Sequence, residues 1–267
     1  MPAPHRPRSP RDGARNTMSA VGRILLRYWP PILAAVLLIA AWELAVWWFQ
    51  LPNFVLPTPQ EIILVSLEDP QTLLQDTMTT VGEAVTGYIA GSLFGLLLAI
   101  LFVTFPSVER CLLPFYVTIN SVPMIAYGPL AIIWFGVGPA SKVVLIFLAV
   151  SYTVLINAIA GLRSCDPVAI DLLRSFGANN RTILVKLRMP ASLPWIFSGL
   201  RVAVVHSMIL AVVLEMLGAN SGLGWSIYKS TQMMSFVEAW VAVGASVVVS
   251  LIIYSMVTRV GKRVAWW

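Results

Sequence analysis

The chain has 267 residues, of which 58% are hydrophobic and 11% charged, with 18 basic and 12 acidic side chains; a soluble domain carries about 25% charge. So few charges cannot cover a soluble core, and the mean hydropathy of +0.81 agrees. The net charge of +6 gathers beside apolar runs rather than in a patch suited to nucleic acid, which excludes that class of partner. What remains is an all-α, polytopic membrane protein, with room for about six spans of ~20 residues each in the lipid bilayer.

Residues 1–27 are basic and the first 17 are rich in Pro and Arg, so this stretch reads as a disordered cytoplasmic N-terminus, and Met18 leaves open a second candidate for the start. The first apolar run, about 31–50, is long for a signal peptide and lacks a cleavage site, so it reads as a retained anchor. Residues 51–80, with Glu61, Glu68, Asp69 and Asp76, read as an external loop bearing a surface helix. Further spans are expected at about 81–105, 112–135, 143–160, 194–217 and 239–257. The third is interrupted by Pro114, Pro123 and Pro129 and is expected to be broken. Gly87, Gly91 and Gly95 lie four residues apart on one face of the second, where small residues let helices approach closely. Packing within the chain is the favoured use of that stripe. Residues 28–258 thus form the transmembrane domain, and 259–267 a cytoplasmic tail.

Fifteen of the 18 basic residues fall on one side if the N-terminus is inside. They are the six N-terminal arginines, Arg110, the five in 163–190 (Arg163, Arg174, Arg181, Lys186, Arg188), and Arg259, Lys262 and Arg263. Only Lys142 and Lys229 fall in loops on the other side, and Arg201 sits within the fifth span. This positive-inside bias places both termini in the cytoplasm.

No motif for nucleotide binding or catalysis emerges. Residues 136–143 (GVGPASKV) lack the second glycine and the hydroxyl of a phosphate loop. Cys111 and Cys165 form no redox or zinc spacing, and the two histidines, His5 and His206, are far from any nucleophile pair. The chain is therefore not expected to be an enzyme.

The insertion at 163–190 reads Asp171-Leu172-Leu173, three residues, Gly177, nine residues, then Leu187-Arg188-Met189-Pro190. It resembles the EAA loop of bacterial ABC importer permeases, with Asp for Glu and leucines for the alanines. The LPTP run at 56–59 is similar to the same family, as are Val122-Pro123 through WFGVG (134–138) to Ser141-Lys142, PASLPWIFSGLR (190–201) and EMLGANSGLG (215–224). Together they point to the branch serving nitrate, sulfonate, taurine and pyrimidine-type vitamin-precursor uptake.

The resemblance implies a type I importer permease fold in the cytoplasmic (inner) membrane, with a small polar solute delivered by an extracytoplasmic binding protein. It also implies a second permease copy, forming a homodimer, and ABC ATPase subunits. Those subunits would hold ATP and Mg, with no cofactor on this chain. Coupling to the ATPase then falls to Asp171, Leu172, Leu173, Gly177, Leu187 and Pro190. The competing class is an ATP-independent channel or secondary transporter.

For the translocation pathway the candidates are Asn120, Ser121 and Tyr127 beside the broken span, together with His206 and Glu215 in the fifth. Glu215 is expected either to gate the pathway or to bond the backbone of the GANSGLG turn. Arg201 is read as the lone cation deep in a span, about 21 Å along the helix from Glu215. Glu43 and Glu83 read as interfacial.

Overall fold

A computed structural model describes residues 20–264, and every regular element among them is helical. The chain divides into two compact units, the first ending at Gln60 and the second beginning at Glu61. Of the tail expected to be disordered, residues 1–19 lie outside the described residues.

The first unit is dominated by α1 (Ala20–Phe49), which ends in Trp47, Trp48 and Phe49, all exposed. Aromatic side chains at that position suit the interface between lipid and water. The chain then turns, and Trp42 Nε1 donates to the Pro57 carbonyl at 3.1 Å, fixing the LPTP segment against the helix. Pro59 opens the short α2 (Pro59–Ser66).

The first long helix of the second unit is α3 (Pro70–Thr104), 35 residues long. Asp69 and Pro70 form its start: proline at the first helical position needs no N–H partner, and the Asp69 carboxylate accepts from Thr72 N at 3.1 Å. At ~52 Å this helix outreaches a ~30 Å hydrocarbon layer. Residues 70–80 are therefore not loop, as their polarity implied, but the first three turns of α3, which carry the helix beyond the layer.

Thr72, bonding through side chain and backbone, holds the Asp69 carboxyl below the usual carboxylate range. A lowered folded value means that the cap stabilises fully above the ordinary aspartate range and loses its effect as pH falls through the folded value. Comparing Asp69→Asn with the parent is the check. Their difference in unfolding midpoint, measured from neutral to acidic pH, is expected to shrink on acidification.

The third span is broken as expected. Helix α4 (Pro106–Ser121) and the segment Met124–Phe135, a 3-10 turn at Met124–Tyr127 followed by α5 (Gly128–Phe135), are bent by 84°. Val122 is extended (φ −86°, ψ 133°) because the following Pro123 disfavours helical backbone there. The long helices α6 (Pro139–Arg163) and α9 (Met189–Leu217) follow, separated by the insertion, and α10 (Leu223–Gln232) and α11 (Phe236–Val264) close the chain. Five described helices are long and apolar enough to span a membrane, or six with the bent pair.

Helices α3, α6 and α9 make the core. The glycine stripe faces α6: a methyl group on Gly87 would sit 2.6 Å from Ile146 Cγ2, and one on Gly91 would sit 2.7 Å from the Phe147 carbonyl. The backbones are in direct contact, so the stripe is used within the chain. Helices α6 and α9 meet in the same way where Gly161 faces Ser192 and Gly199 faces Asn157. Around these contacts pack Ile146, Val150, Leu155, Ala158, Ala203, Met208 and Ala211, all buried.

Candidate functional site

Two regions at opposite ends of α9 carry the chain's chemistry. The first is the insertion between α6 and α9. Asp166 caps α7 (Pro167–Ser175) by accepting from Val168 N at 2.9 Å. The helix stops at Gly177, whose φ of +79° is left-handed. Gly177 N donates to Arg174 O at 2.9 Å and Ala178 N to Leu173 O at 3.0 Å, the paired bonds of a Schellman ending. Asn179 then caps the one-turn α8 (Asn180–Ile183) through Thr182 N at 2.8 Å. A π-helical turn, Leu184–Arg188, closed by Met189 N on Leu184 O, runs into α9. Pro190 occupies the first turn of α9, where a missing N–H costs nothing.

The expected coupling residues fall along this helix–turn–helix. Asp171 is exposed and 3.5 Å from Arg174. Leu172 is exposed, while Leu173 and Leu187 are half-buried. Sequence reasoning missed two residues here. Val168 and Phe176, four positions either side of Leu172, complete an apolar stripe that is 72%, 56% and 79% exposed in chain order. Their spacing of four was the available signal.

The pathway candidates separate. Asn120, Ser121 and Tyr127 gather at the broken span. Asn120 Nδ2 donates to Tyr116 O at 3.0 Å, Ser121 Oγ to Val117 O at 2.8 Å and Tyr127 OH across the break to Ile119 O at 3.2 Å. Asn120 and Ser121 thus bond back to the preceding turn of α4, and Tyr127 satisfies the Ile119 carbonyl, one of the last four, where the helix no longer supplies a donor. His206 is exposed on the side of α9, with no partner among the described residues.

Glu215 belongs to the second region, a buried polar cluster at the end of α9 remote from the insertion. Its Oε2 accepts from Gly224 N at 2.7 Å and from Thr80 Oγ1 at 3.0 Å. Of its two expected roles, bonding of the following turn is the one observed. Leu223 N donates to Thr80 Oγ1 and Gly222 N to Asp76 Oδ1, each at 2.8 Å, and Ser226 Oγ also bonds Asp76. The loop fits so closely that a methyl group on Gly222 or Gly224 would overlap Glu215 or Val212.

Two readings are corrected here. Glu83 is not interfacial but 4% exposed, and it pairs with Lys142 at 3.8 Å. Lys142 is not a loop cation: it is 3% exposed in the first turn of α6, where it donates to Val137 O at 2.6 Å and Gly138 O at 3.2 Å. Arg201 is half-buried and bonded to Phe197 O at 3.2 Å.

Residues 91–266 match the family of binding-protein-dependent transport system inner membrane components. The chain belongs to that family. A probable ABC transporter permease protein of Haemophilus influenzae is 32% identical over 241 residues, covering 90% of this chain and 98% of that one. The taurine transport system permease protein TauC of Escherichia coli is 29% identical over 240 residues, 87% of each chain. A chain of the inward-facing MetNI methionine ABC transporter superposes with a TM-score of 0.60 at 18% identity, covering 73% of this chain and 95% of that one. The permease thus has the type I ABC importer fold. It is a multi-pass membrane subunit that transports a small solute in concert with ATPase and binding-protein subunits.

Proposed function

We propose that the insertion 163–190 is where the ATPase subunit docks and that α9 carries its movement to the buried cluster. The observation behind this is the stripe Val168, Leu172 and Phe176. Three large apolar side chains stand exposed on a helix that is capped at both ends and joined to a core helix without a flexible linker. A rigid apolar face of this kind suits insertion into a cleft on a soluble partner. In this reading Asp171 and its Arg174 partner rim the contact, Gly177 sets the turn, and Leu187 and Pro190 deliver the chain into α9. ATP and Mg are held by that partner, and the positive-inside bias of the sequence supports a cytoplasmic position for the insertion and both termini.

The substrate is a small polar solute of the sulfonate, taurine or pyrimidine-precursor class, the classes named for relatives such as TauC, SsuC and ThiX. A second copy of this chain completes the pathway. A histidine facing lipid alone is costly, and His206 stands exposed on α9 between exposed Val205 and Ile209, which a second subunit and the solute path would cover. Asn120, Ser121 and Tyr127 mark the same path, where the broken backbone opens onto it.

Leu172→Asp and Phe176→Asp place a charge on exposed sites and leave the fold alone. Each is expected to weaken association with the ATPase subunit by more than about 2 kcal/mol, roughly thirtyfold. Copurification and binding-protein-stimulated ATP hydrolysis are the readouts. Unchanged copurification with both variants rejects the docking assignment.

A further inference from the structure

Two buried carboxylate oxygens in the cluster receive no hydrogen. Glu83 Oε2 and Glu215 Oε1 each lack a donor among the described residues, and their side chains are 4% and 0% exposed. The remaining oxygen of each is engaged: Glu83 Oε1 faces Lys142 Nζ at 3.8 Å, and Glu215 Oε2 holds Gly224 N and Thr80 Oγ1. The two carboxyl groups are neighbours: Thr80 Oγ1, which bonds Glu215 Oε2, lies three residues before Glu83 on the same buried face of α3.

The charges around them come from every packed element. Helix α3 adds Asp76, already held by Gly222 N and Ser226 Oγ. Helix α6 supplies Lys142, the one buried ammonium among the described residues. Helix α10 carries Lys229, which is exposed, and α11 carries Glu238, which accepts from Ser230 at 3.3 Å. No further donor turns toward the pair. With both glutamates ionised, two neighbouring carboxylates would share one ammonium, leaving a net negative charge and two unpartnered oxygens inside the protein. Neither is tolerated without compensation.

We infer that Glu215 carries a proton on Oε1 and donates it to Glu83 Oε2, making this pair a proton-binding site within the permease. Both unpartnered oxygens are then satisfied, and the group of Lys142, Glu83 and Glu215 is electrically neutral. Lys142 faces Glu83, which assigns the negative charge to Glu83 and the proton to Glu215. The acid hydrogen bond completes the bridge from α6 through Lys142, Glu83 and Glu215 to the loop at 222–224. The site stands apart from the docking loop and does not depend on that assignment.

A buried carboxylic acid is visible in the infrared as a C=O stretching band that is distinct from carboxylate and shifts in D2O. In the full importer complex, the spectrum of the parent minus that of Glu215→Gln is expected to contain this band. Glu83→Gln, which replaces the accepting oxygen, is expected to shift it. Glutamine at 215 reproduces the acid: its carbonyl accepts from Gly224 N and its amide donates to Glu83. Glu215→Gln should therefore keep the thermal midpoint within ~2 °C, whereas Glu215→Ala should lower it by at least about 5 °C. The inference is overturned if no acid band is lost in Glu215→Gln, or if glutamine destabilises as much as alanine.

Discussion

Replacing Gly95 by alanine is expected to prevent α3 and α6 from packing and to abolish the folded permease. A Cβ at this position would overlap the Ser151 carbonyl and lie 3.1 Å from both Ser151 C and Cα. Most overpacking is relieved by side-chain shifts and costs about 1–3 kcal/mol. Here the opposing atoms are helix backbone, and Gly91 and Gly87 bring the same two helices together one and two turns away. Relief requires moving a whole helix, so the effect is expected to exceed about 3 kcal/mol. Gly82 is the control. It lies in the same helix, but a Cβ there meets nothing within 4 Å, and alanine should stabilise the helix by up to about 1 kcal/mol. Monodispersity in detergent and the thermal midpoint separate the two: loss for Gly95→Ala, retention or gain for Gly82→Ala.

Removing the ammonium of Lys142 is expected to have a comparable effect for an electrostatic reason. Lys142→Met fills similar volume but leaves the Glu83 charge without its partner in a site closed to water. Breaking a buried pair by deleting one member costs about 3–5 kcal/mol, whereas removing both charges is far less damaging. The double variant Lys142→Met/Glu83→Gln should therefore recover more than half of the lost stability. The recovery is incomplete because the carbonyls of Val137 and Gly138 also lose their donor. A thermodynamic cycle over the four proteins measures the coupling. If the double variant were no better than Lys142→Met alone, the ammonium would act through those carbonyls rather than through Glu83.

The long apolar runs made the spans legible, and Pro123 made the break in the third legible, because both signals are local. In 163–190 it was the resemblance to the EAA loop that singled out Gly177, the residue whose left-handed backbone makes the turn. The buried cluster was not legible, since a carboxylate reads as surface until its partners are known. Yet its face was written in the sequence. The glycine stripe at 87, 91 and 95, continued backward at helical spacing, passes through Glu83, Thr80 and Asp76, which turn toward the same core. Lys142 was misplaced because its first-turn position looks like loop, and only the fold brings Glu83 beneath it. Val168 and Phe176 were passed over because apolar residues are common in this chain; their exposure on a nine-residue helix is what distinguishes them.

The π-helical turn at Leu184–Arg188 sets an angular phase between the two halves of the permease. Its closing bond spans one residue more than an α-helical bond. If the turn were wound into α geometry by deleting one residue, everything before it would rotate by ~100° about the axis of α9. The stripe of Val168, Leu172 and Phe176 would then face a different compass point relative to Glu215, and Ile183, now buried, would turn out of its packing. A single surplus residue thus works as an indexing tooth: it fixes the direction in which α7 is presented relative to the face of α9 that carries Glu215.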